Sequence, residues 1–304
     1  MKPSRFEYHD PRHLEDALVL LGEHGDEAKV LAGGQSLMPM LSMRLAYPSL
    51  LVDINGLDEL QGIREQDNSI VFGALTRQSQ AEDSALVAQA CPLLAQALPW
   101  VAHRSVRNRG TLGGSLAHAD PAAEIPAVMT ALDATVIARA VSGQREIPIG
   151  ELFDVPLMPT LAPEEILTEI RVPRQPANAV GAVAEVGRRH GDFALAGVVA
   201  TAEIGHDGVI TVARLVSFAT GPVPQRLGAA EILLVGARPD DALLMEAGRA
   251  AAEEIDPADD LHASADYRRA VTAVLVERAL AQALAGSGTP SDPPERGVRG
   301  TSDS

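Results

Sequence analysis

The 304-residue sequence predicts an α+β protein assembled from α/β-type subdomains. Residues 28–45 read as strand, glycine turn and helix. From there to about residue 172, three short strands, a run of helical stretches and three further strands follow. Past the prolines at 156, 159, 163, 173 and 176 the order changes to three consecutive strands followed by three helices. With 46% hydrophobic residues, the chain can supply cores for two or three compact units.

Leu14, Ala17, Leu18 and Leu21 recur at helical spacing and predict an amphipathic helix within 11–25, ending at Gly22 or Gly25. A strand over 28–31 runs into Gly33-Gly34, and 37–45 is helical or irregular, with Pro39 where a first turn tolerates it. Strands are predicted over 50–54, 63–65 and 70–75, then helices over 81–90 and 92–102, with Pro92 opening the second. Residues 104–110 read as a polar loop. Ile125, Val128, Met129 and Leu132 share one face of the next helix. A hairpin joins 134–140 to 146–149 through Ser142-Gly143-Gln144, and one strand, 165–172, lies among the clustered prolines. Those prolines place a domain boundary near 173–178. Strands over 182–186, 194–204 and 209–218 then form a meander. Helices follow over 229–235, 240–254 and 264–285, the last with Ser264 as N-cap and Val271, Val274 and Leu275 as its apolar stripe. Residues 287–304 hold too little apolar content to pack and are expected to be disordered.

A net charge of −16 argues against a nucleic-acid surface or an anionic membrane surface. There is no apolar run of about 18 residues, and the first ten residues lack the apolar core of a signal peptide, so the expected location is the cytoplasm. The one cysteine, Cys91, excludes an internal disulfide and a four-thiolate cluster within this chain, so any iron–sulfur cluster must sit on a partner. Cys91 and Trp100 read as core residues.

Two segments carry the chemistry. Ala32-Gly33-Gly34-Gln35-Ser36-Leu37 and Thr111-Leu112-Gly113-Gly114-Ser115 each set a glycine pair beside hydroxyl groups, leaving backbone N–H groups open to an anionic ligand. Asp120-Pro121 reads as an N-cap and first helical residue, which would add the positive end of a helix. Either segment alone is most simply a turn. Together they favour one large ligand containing a diphosphate, which a handful of charge-assisted hydrogen bonds of about 1.5–3 kcal/mol each can hold. Neither matches a P-loop or a Gly-x-Gly-x-x-Gly turn, which disfavours ATPases and simple nicotinamide dehydrogenases. Arg104, Arg107 and Arg109 form one basic knot, equally readable as surface ion pairs or as a dock for an acidic partner or a cofactor edge.

Three stretches, AGGQSLMPMLSMRLA (32–46), VRNRGTLGGSLAHADPAAEIPAVMTALDA (106–134) and GRRHGDFALAGVVA (187–200), resemble the FAD-binding medium subunit of the molybdenum hydroxylases, the group containing carbon monoxide dehydrogenase and xanthine dehydrogenase. The resemblance covers all but the tail. It implies a vanillyl-alcohol-oxidase-like (PCMH-type) FAD-binding domain over 1–176, with subdomains of about 1–56 and 57–176. A small α+β domain over 177–286, with a three-stranded sheet and helices, would follow. Ala32, Gly33, Gly34, Gln35, Ser36 and Leu37, with Thr111, Gly113, Gly114 and Ser115, would embrace the FAD pyrophosphate. His118 and Asp120 would sit beside it, and Glu124 would hydrogen-bond the sugar part. Lys29 and Val101 would line the adenine and flavin ends, and Phe193 would neighbour the isoalloxazine.

The resemblance also implies partners. A large subunit would carry the molybdenum-pterin cofactor and hydroxylate the substrate with oxygen from water; a small subunit would carry two 2Fe-2S clusters. FAD on this chain would then pass electrons to an external acceptor, in a heterohexamer built as a dimer of heterotrimers. No general acid, base, nucleophile or metal ligand is assigned here, because the cofactor carries the chemistry. A free-standing flavin oxidase of the same fold, or a nucleotide-binding scaffold without redox function, remain the other readings.

Overall fold

Residues 2–285 are described by a computed structural model, so the expectation of a disordered 287–304 tail lies outside the described residues. The chain opens with β1 (Glu7–His9), α1 (Leu14–His24), β2 (Ala28–Leu31), α2 (Leu37–Met43) and β3 (Leu50–Asp53). β3 pairs in parallel with both β1 and β2, giving the order β1-β3-β2. All three strands run the same way, so each connection is a crossover: α1 lies between β1 and β2, which flank β3, and α2 lies between the neighbours β2 and β3. The predicted stripe of α1 is fully buried and packs with Ala28, Leu50 and Val52 in a small separate core. Gly25 ends the helix at φ 50°, a conformation that favours glycine.

Next come β4 (Ile63–Gln66), β5 (Ser69–Gly73), α3 (Gln78–Glu82), α4 (Ala85–Ala90), α5 (Pro92–Ala97), α6 (Arg104–Arg107), α7 (Leu112–His118), α8 (Glu124–Ala131), β6 (Thr135–Ala140) and β7 (Gly143–Pro148). After them follow α9 (Ile149–Leu152), β8 (Phe153–Val155), β9 (Met158–Pro159) and β10 (Ile166–Pro173). The antiparallel order β4-β5-β10-β6-β7 forms one sheet whose residues Phe72, Val136 and Ile170 pack with Leu94, Leu116, Val128 and Met129 from the helices.

Several local expectations are corrected. The helix expected over 81–90 is two, because Ser84 interrupts it and caps α4, its Oγ accepting the Val87 N–H at 3.3 Å. The polar loop expected over 104–110 contains α6, held by the buried Arg107. Asp120 is not a helix cap. Its Oδ1 accepts the Ala122 N–H at 2.9 Å in a local turn, and α8 begins at Glu124. Every residue of α8 is buried, so the single apolar face predicted for it was too narrow.

The rest of the chain is β11 (Ala179–Gly187), β12 (Ala194–Ile204), β13 (Ile210–Phe218), β14 (Gln225–Arg226), α10 (Gly228–Leu234), α11 (Asp241–Glu254) and α12 (Ala265–Ala285). The antiparallel order β11-β12-β13-β14 adds a two-residue strand to the three expected. One face of this sheet packs under α10 and α12, with α11 lying against both helices; from the other, Val183, Val199, Val216 and Phe218 enter the core that contains α8. Burial on both faces explains why β12 is nearly all apolar rather than alternating. Ser264 caps α12 as expected, its Oγ accepting the Tyr267 N–H at 3.2 Å. The stripe is rotated, however: Thr272, Leu275, Val276, Ala279 and Leu280 face inward, while Val274 is 43% exposed.

Gly197 of β12 stands opposite Phe218, and a Cβ there would lie 2.1 Å from the buried ring. Gly197→Ala is therefore expected to destabilise the chain by about 1–3 kcal/mol through overpacking, read as a lower urea midpoint. An unchanged midpoint would show that the ring can move aside.

Candidate functional site

The turn after β2 is held by its carbonyls rather than its amides. Ala32 C=O accepts Asn55 Nδ2 at 2.7 Å, Gly33 C=O accepts Gln35 Nε2 at 3.2 Å, and Gly34 and Ser36 C=O accept the N–H groups of Met38 and Met40. Gly34 turns through φ 72°. Among the described residues, none of the N–H groups of Gly33, Gly34, Gln35, Ser36 and Leu37 has a protein acceptor. Five consecutive free donors around a left-handed glycine make a concave anion site.

This turn is braced from behind. Asn55 also donates to Asp53 Oδ1 at 2.6 Å and accepts from Arg77 Nη2 at 2.6 Å, while Arg77 Nη1 donates to the Arg109 carbonyl. Tyr8 donates to Asp53 Oδ2 at 2.6 Å. Burial works to raise the Asp53 carboxyl, but the bonds from Tyr8 and Asn55 prevail and hold it below the ordinary range. A cleft of about 480 Å³ opens here, lined by Leu31, Gly33, Gly34, Met38, Asp53 and Arg109.

The second glycine segment lies directly against the first. A Cβ on Gly33 would sit 2.5 Å from the Arg109 carbonyl oxygen and 2.9 Å from Gly110 Cα, and one on Gly114 would reach Ala32 Cβ at 3.9 Å. The second segment differs from expectation in how its glycines work. Leu112, Gly113 and Gly114 N–H donate to Thr76 O, Ala74 O and Thr111 Oγ1, each at 3.0 Å, and Ser115 N–H donates to Thr111 O at 3.1 Å. Those amides are already committed. Gly113 is small because a Cβ would lie 2.7 Å from Ala74, and Gly114 because one would lie 2.6 Å from the capping Thr111 hydroxyl. The pair lets α7 seat tightly beside the first turn, which supplies the free donors.

The basic knot divides. Arg104 pairs with Glu82 and Asp83; Arg107 is buried, clasps Glu82 at 2.8 and 3.0 Å, and donates to the Val101 and Ala102 carbonyls. Arg109 faces the cleft without an ion-pair partner among the described residues. Of the other predicted positions, Ser115, His118 and Asp120 are half-buried along and just after α7, and Val101 is buried beside Arg107. Lys29 is exposed on β2, and Phe193 is 65% exposed in the loop between β11 and β12, so neither is gathered into the cleft. Asn55, Arg77, Gln78 and Glu185 escaped the sequence reading. Each is an isolated polar residue with no motif, made relevant only by what the fold sets beside it.

Two acids, one buried and one half-buried, have no ion-pair partner among the described residues. Glu124, 6% exposed at the start of α8, has its carboxyl pushed up to about 7 by burial, with the nearby Asp120 adding and Arg107 opposing. Burial and the charge of Glu124 push Glu185 of β11 up to about 8. Its Oε2 is shielded and has no hydrogen-bond partner among the described residues, as is also true of Gln78 Oε1. Among the described residues no group of three or more His, Cys, Asp or Glu is placed to hold a metal ion. Free amides beside Arg109, a cleft, and a shielded carboxylate oxygen without a partner on Glu185 fit an elongated ligand with an anionic middle and hydroxyl groups. FAD is such a ligand.

The acids give a pH test of the ligand-free chain. Both carboxyls hold protons in the folded state well above the 4.5 at which the unfolded chain loses them, so the folded state binds more protons between about pH 5 and 8. Stability is expected to fall across that window, by up to about 1.4 kcal/mol per pH unit for each group. Glu124→Gln should flatten the lower part of the fall, and a thermal midpoint flat from pH 5 to 8 in the unmutated chain would contradict the assignment.

Comparison with known proteins matches residues 4–175 to the family described as the FAD binding domain in molybdopterin dehydrogenase, and residues 181–283 to the CO dehydrogenase flavoprotein C-terminal domain. The chain is 42% identical to the 6-hydroxypseudooxynicotine dehydrogenase complex subunit alpha of Paenarthrobacter nicotinovorans, over 93% of this chain and 96% of that one. It is 39% identical to the caffeine dehydrogenase subunit beta of a Pseudomonas species, over 93% and 96%. A solved structure of carbon monoxide dehydrogenase from Hydrogenophaga pseudoflava superposes with a TM-score of 0.91 at 38% identity, covering 94% of this chain and 99% of that one. Likeness of this extent, in sequence and backbone alike, means that the chain belongs to the FAD-binding flavoprotein family of the molybdopterin dehydrogenases and is part of an oxidoreductase.

Proposed function

We propose that this chain is the flavoprotein subunit of a multi-subunit molybdenum hydroxylase. The observation that carries the site is the run of five free N–H groups from Gly33 to Leu37, facing a cleft that also presents Arg109. In this proposal those amides and Ala32 receive the FAD pyrophosphate, Arg109 adds the local positive charge that an acidic chain otherwise lacks, and Thr111, Gly113, Gly114 and Ser115 close the opposite wall. His118 and Asp120 flank the same part. Glu124 accepts hydrogen bonds from sugar hydroxyls, Lys29 and Val101 border the adenine and flavin ends, and Phe193 lies at the isoalloxazine edge. Residues 1–176 act as the FAD-binding domain and 177–286 as the domain that completes it, in line with the two family matches.

When bound, FAD supplies the redox chemistry, taking electrons from the 2Fe-2S clusters of a small partner subunit and passing them to an external acceptor. The protein's part is to hold and orient it. A large partner subunit carries the molybdenum-pterin cofactor and selects the substrate. In support, relatives 42%, 37% and 34% identical to this chain are named for a pseudooxynicotine, carbon monoxide and glyceraldehyde, three compounds that differ widely in size and polarity. The assembly is a dimer of heterotrimers in the cytoplasm. No helix among the described residues is long and apolar enough to cross a membrane.

The purified chain is expected to show flavin absorbance and to release FAD on heating; a colourless chain that takes up no added FAD would sink the proposal. Gly114→Asp, which sets a side chain and a negative charge against the capping Thr111 hydroxyl and the first turn, should leave a folded chain that retains no FAD. Arg109→Ala removes one charge-assisted contact and should weaken FAD binding by roughly ten-fold or more. Flavin retention by folded Gly114→Asp would place the pyrophosphate elsewhere.

A further inference from the structure

An acid stands at the rim of the anion site. Asp53 ends β3 and lines the cleft beside Gly33 and Gly34, where a free carboxylate would repel a pyrophosphate. It is not free. Its Oδ2 accepts the Tyr8 hydroxyl at 2.6 Å, and its Oδ1 accepts Asn55 N–H at 2.9 Å and Asn55 Nδ2 at 2.6 Å. Asn55 Nδ2 also donates to the Ala32 carbonyl at 2.7 Å, while Asn55 Oδ1 accepts Arg77 Nη2 at 2.6 Å. Arginine only donates and an ionised carboxylate only accepts, so the Asn55 amide has one satisfied orientation, with its nitrogen toward Asp53 and Ala32. A trans peptide sets its C=O and its N–H in opposite directions. Holding the Ala32 carbonyl on Asn55 therefore aims the Gly33 N–H, the first of the five free donors, away from Asn55.

We propose that Tyr8, Asp53 and Asn55 are positioning residues for the cofactor, acting through the Ala32 carbonyl to keep the run of amides that begins at Gly33 aimed at the anionic part of the ligand. This rests on the FAD reading above. The bonds join β1, the ends of β2 and β3 and the N-cap of α3, four places far apart in the chain. They are strongest while Asp53 is ionised, since charge-assisted hydrogen bonds are about twice as strong as neutral ones. The groups facing Asp53 are Tyr8 from β1, the uncharged Leu31 opposite it on β2, and the cations Arg77 and Arg109; Asp10 and Arg12 act on Tyr8. Burial works to raise the Asp53 carboxyl, and the bond from Tyr8 is foremost among those that hold it below its ordinary 3.8. Tyr8 thus keeps the brace intact as pH falls.

The test takes the full chain stripped of FAD and measures FAD affinity by flavin fluorescence from about pH 8 down to about pH 4.5. The variants are Tyr8→Phe, Asn55→Ala, Asn55→Asp and the double variant Tyr8→Phe with Asn55→Ala. Asn55→Ala should lower affinity about ten-fold across the range. Asn55→Asp, which keeps the size and the Arg77 contact but loses the donor, should do the same and stands in if Asn55→Ala does not fold. Tyr8→Phe should cost about three-fold at the upper end and progressively more toward the lower end, because Asp53 without its hydroxyl donor gains a proton at higher pH. In the double variant that widening should vanish, since Asp53 acts through Asn55. A role in stability alone would not tie the pH profile of one residue to the presence of another. Wild-type affinity in the Asn55 variants would overturn the proposal, as would a Tyr8→Phe profile parallel to that of the unmutated chain, or the same widening loss in the double variant. Failure of the unmutated chain to bind FAD would overturn the FAD assignment itself, and the proposal with it.

Discussion

The close approach of Gly33 to Arg109 and Gly110 is the constraint on which the site depends. No side chain fits between these backbones, since a Cβ would come within 2.5 Å of the Arg109 carbonyl oxygen. That contact joins a turn from the small parallel sheet to the approach to α7 from the antiparallel one, so the site is a seam between two layers of the fold. Arg77 reinforces the seam, donating to Asn55 on one side and to the Arg109 carbonyl on the other. Because carbonyls do the bracing, the amides of the first turn stay free.

The same logic reconciles an acidic chain with an anionic ligand. A net charge of −16 is distributed over the whole surface and screened over about 8 Å, whereas the Gly33–Leu37 amides act at contact distance. Arginines elsewhere in the knot are consumed by Glu82 and Asp83, leaving Arg109 as the local cation at the cleft.

The C-terminal unit is more than an appendage. Its sheet is covered by α10 and α12 on one face and closes the core of the preceding unit with the other, through Val183, Val199, Val216 and Phe218. Where Asp133 at that junction is paired with Arg214 and Arg226, the buried Glu124 and the half-buried Glu185 have no cation. Acids raised toward neutrality in such surroundings mark a place where the ligand-free fold sacrifices stability.

Much of this was determined locally. The α1 stripe, the strand before Gly33, the Gly-Gly segments, Pro92 at a helix start and the Ser264 cap all follow from periodicity and from the steric character of single residues, so they were legible in the sequence. Where interpretation rested on a residue's neighbours it went astray. Asp120-Pro121 resembles a helix start but forms a turn; Val274 fits a stripe but faces solvent; Gly113 and Gly114 look like open amides but are glycines for the sake of packing. Asn55, Arg77 and Glu185 had no sequence signal at all, because a lone polar residue carries none. Their roles arise when tertiary packing withdraws solvent and decides which donors and acceptors remain unpaired, and that is a property of residues far apart in the chain.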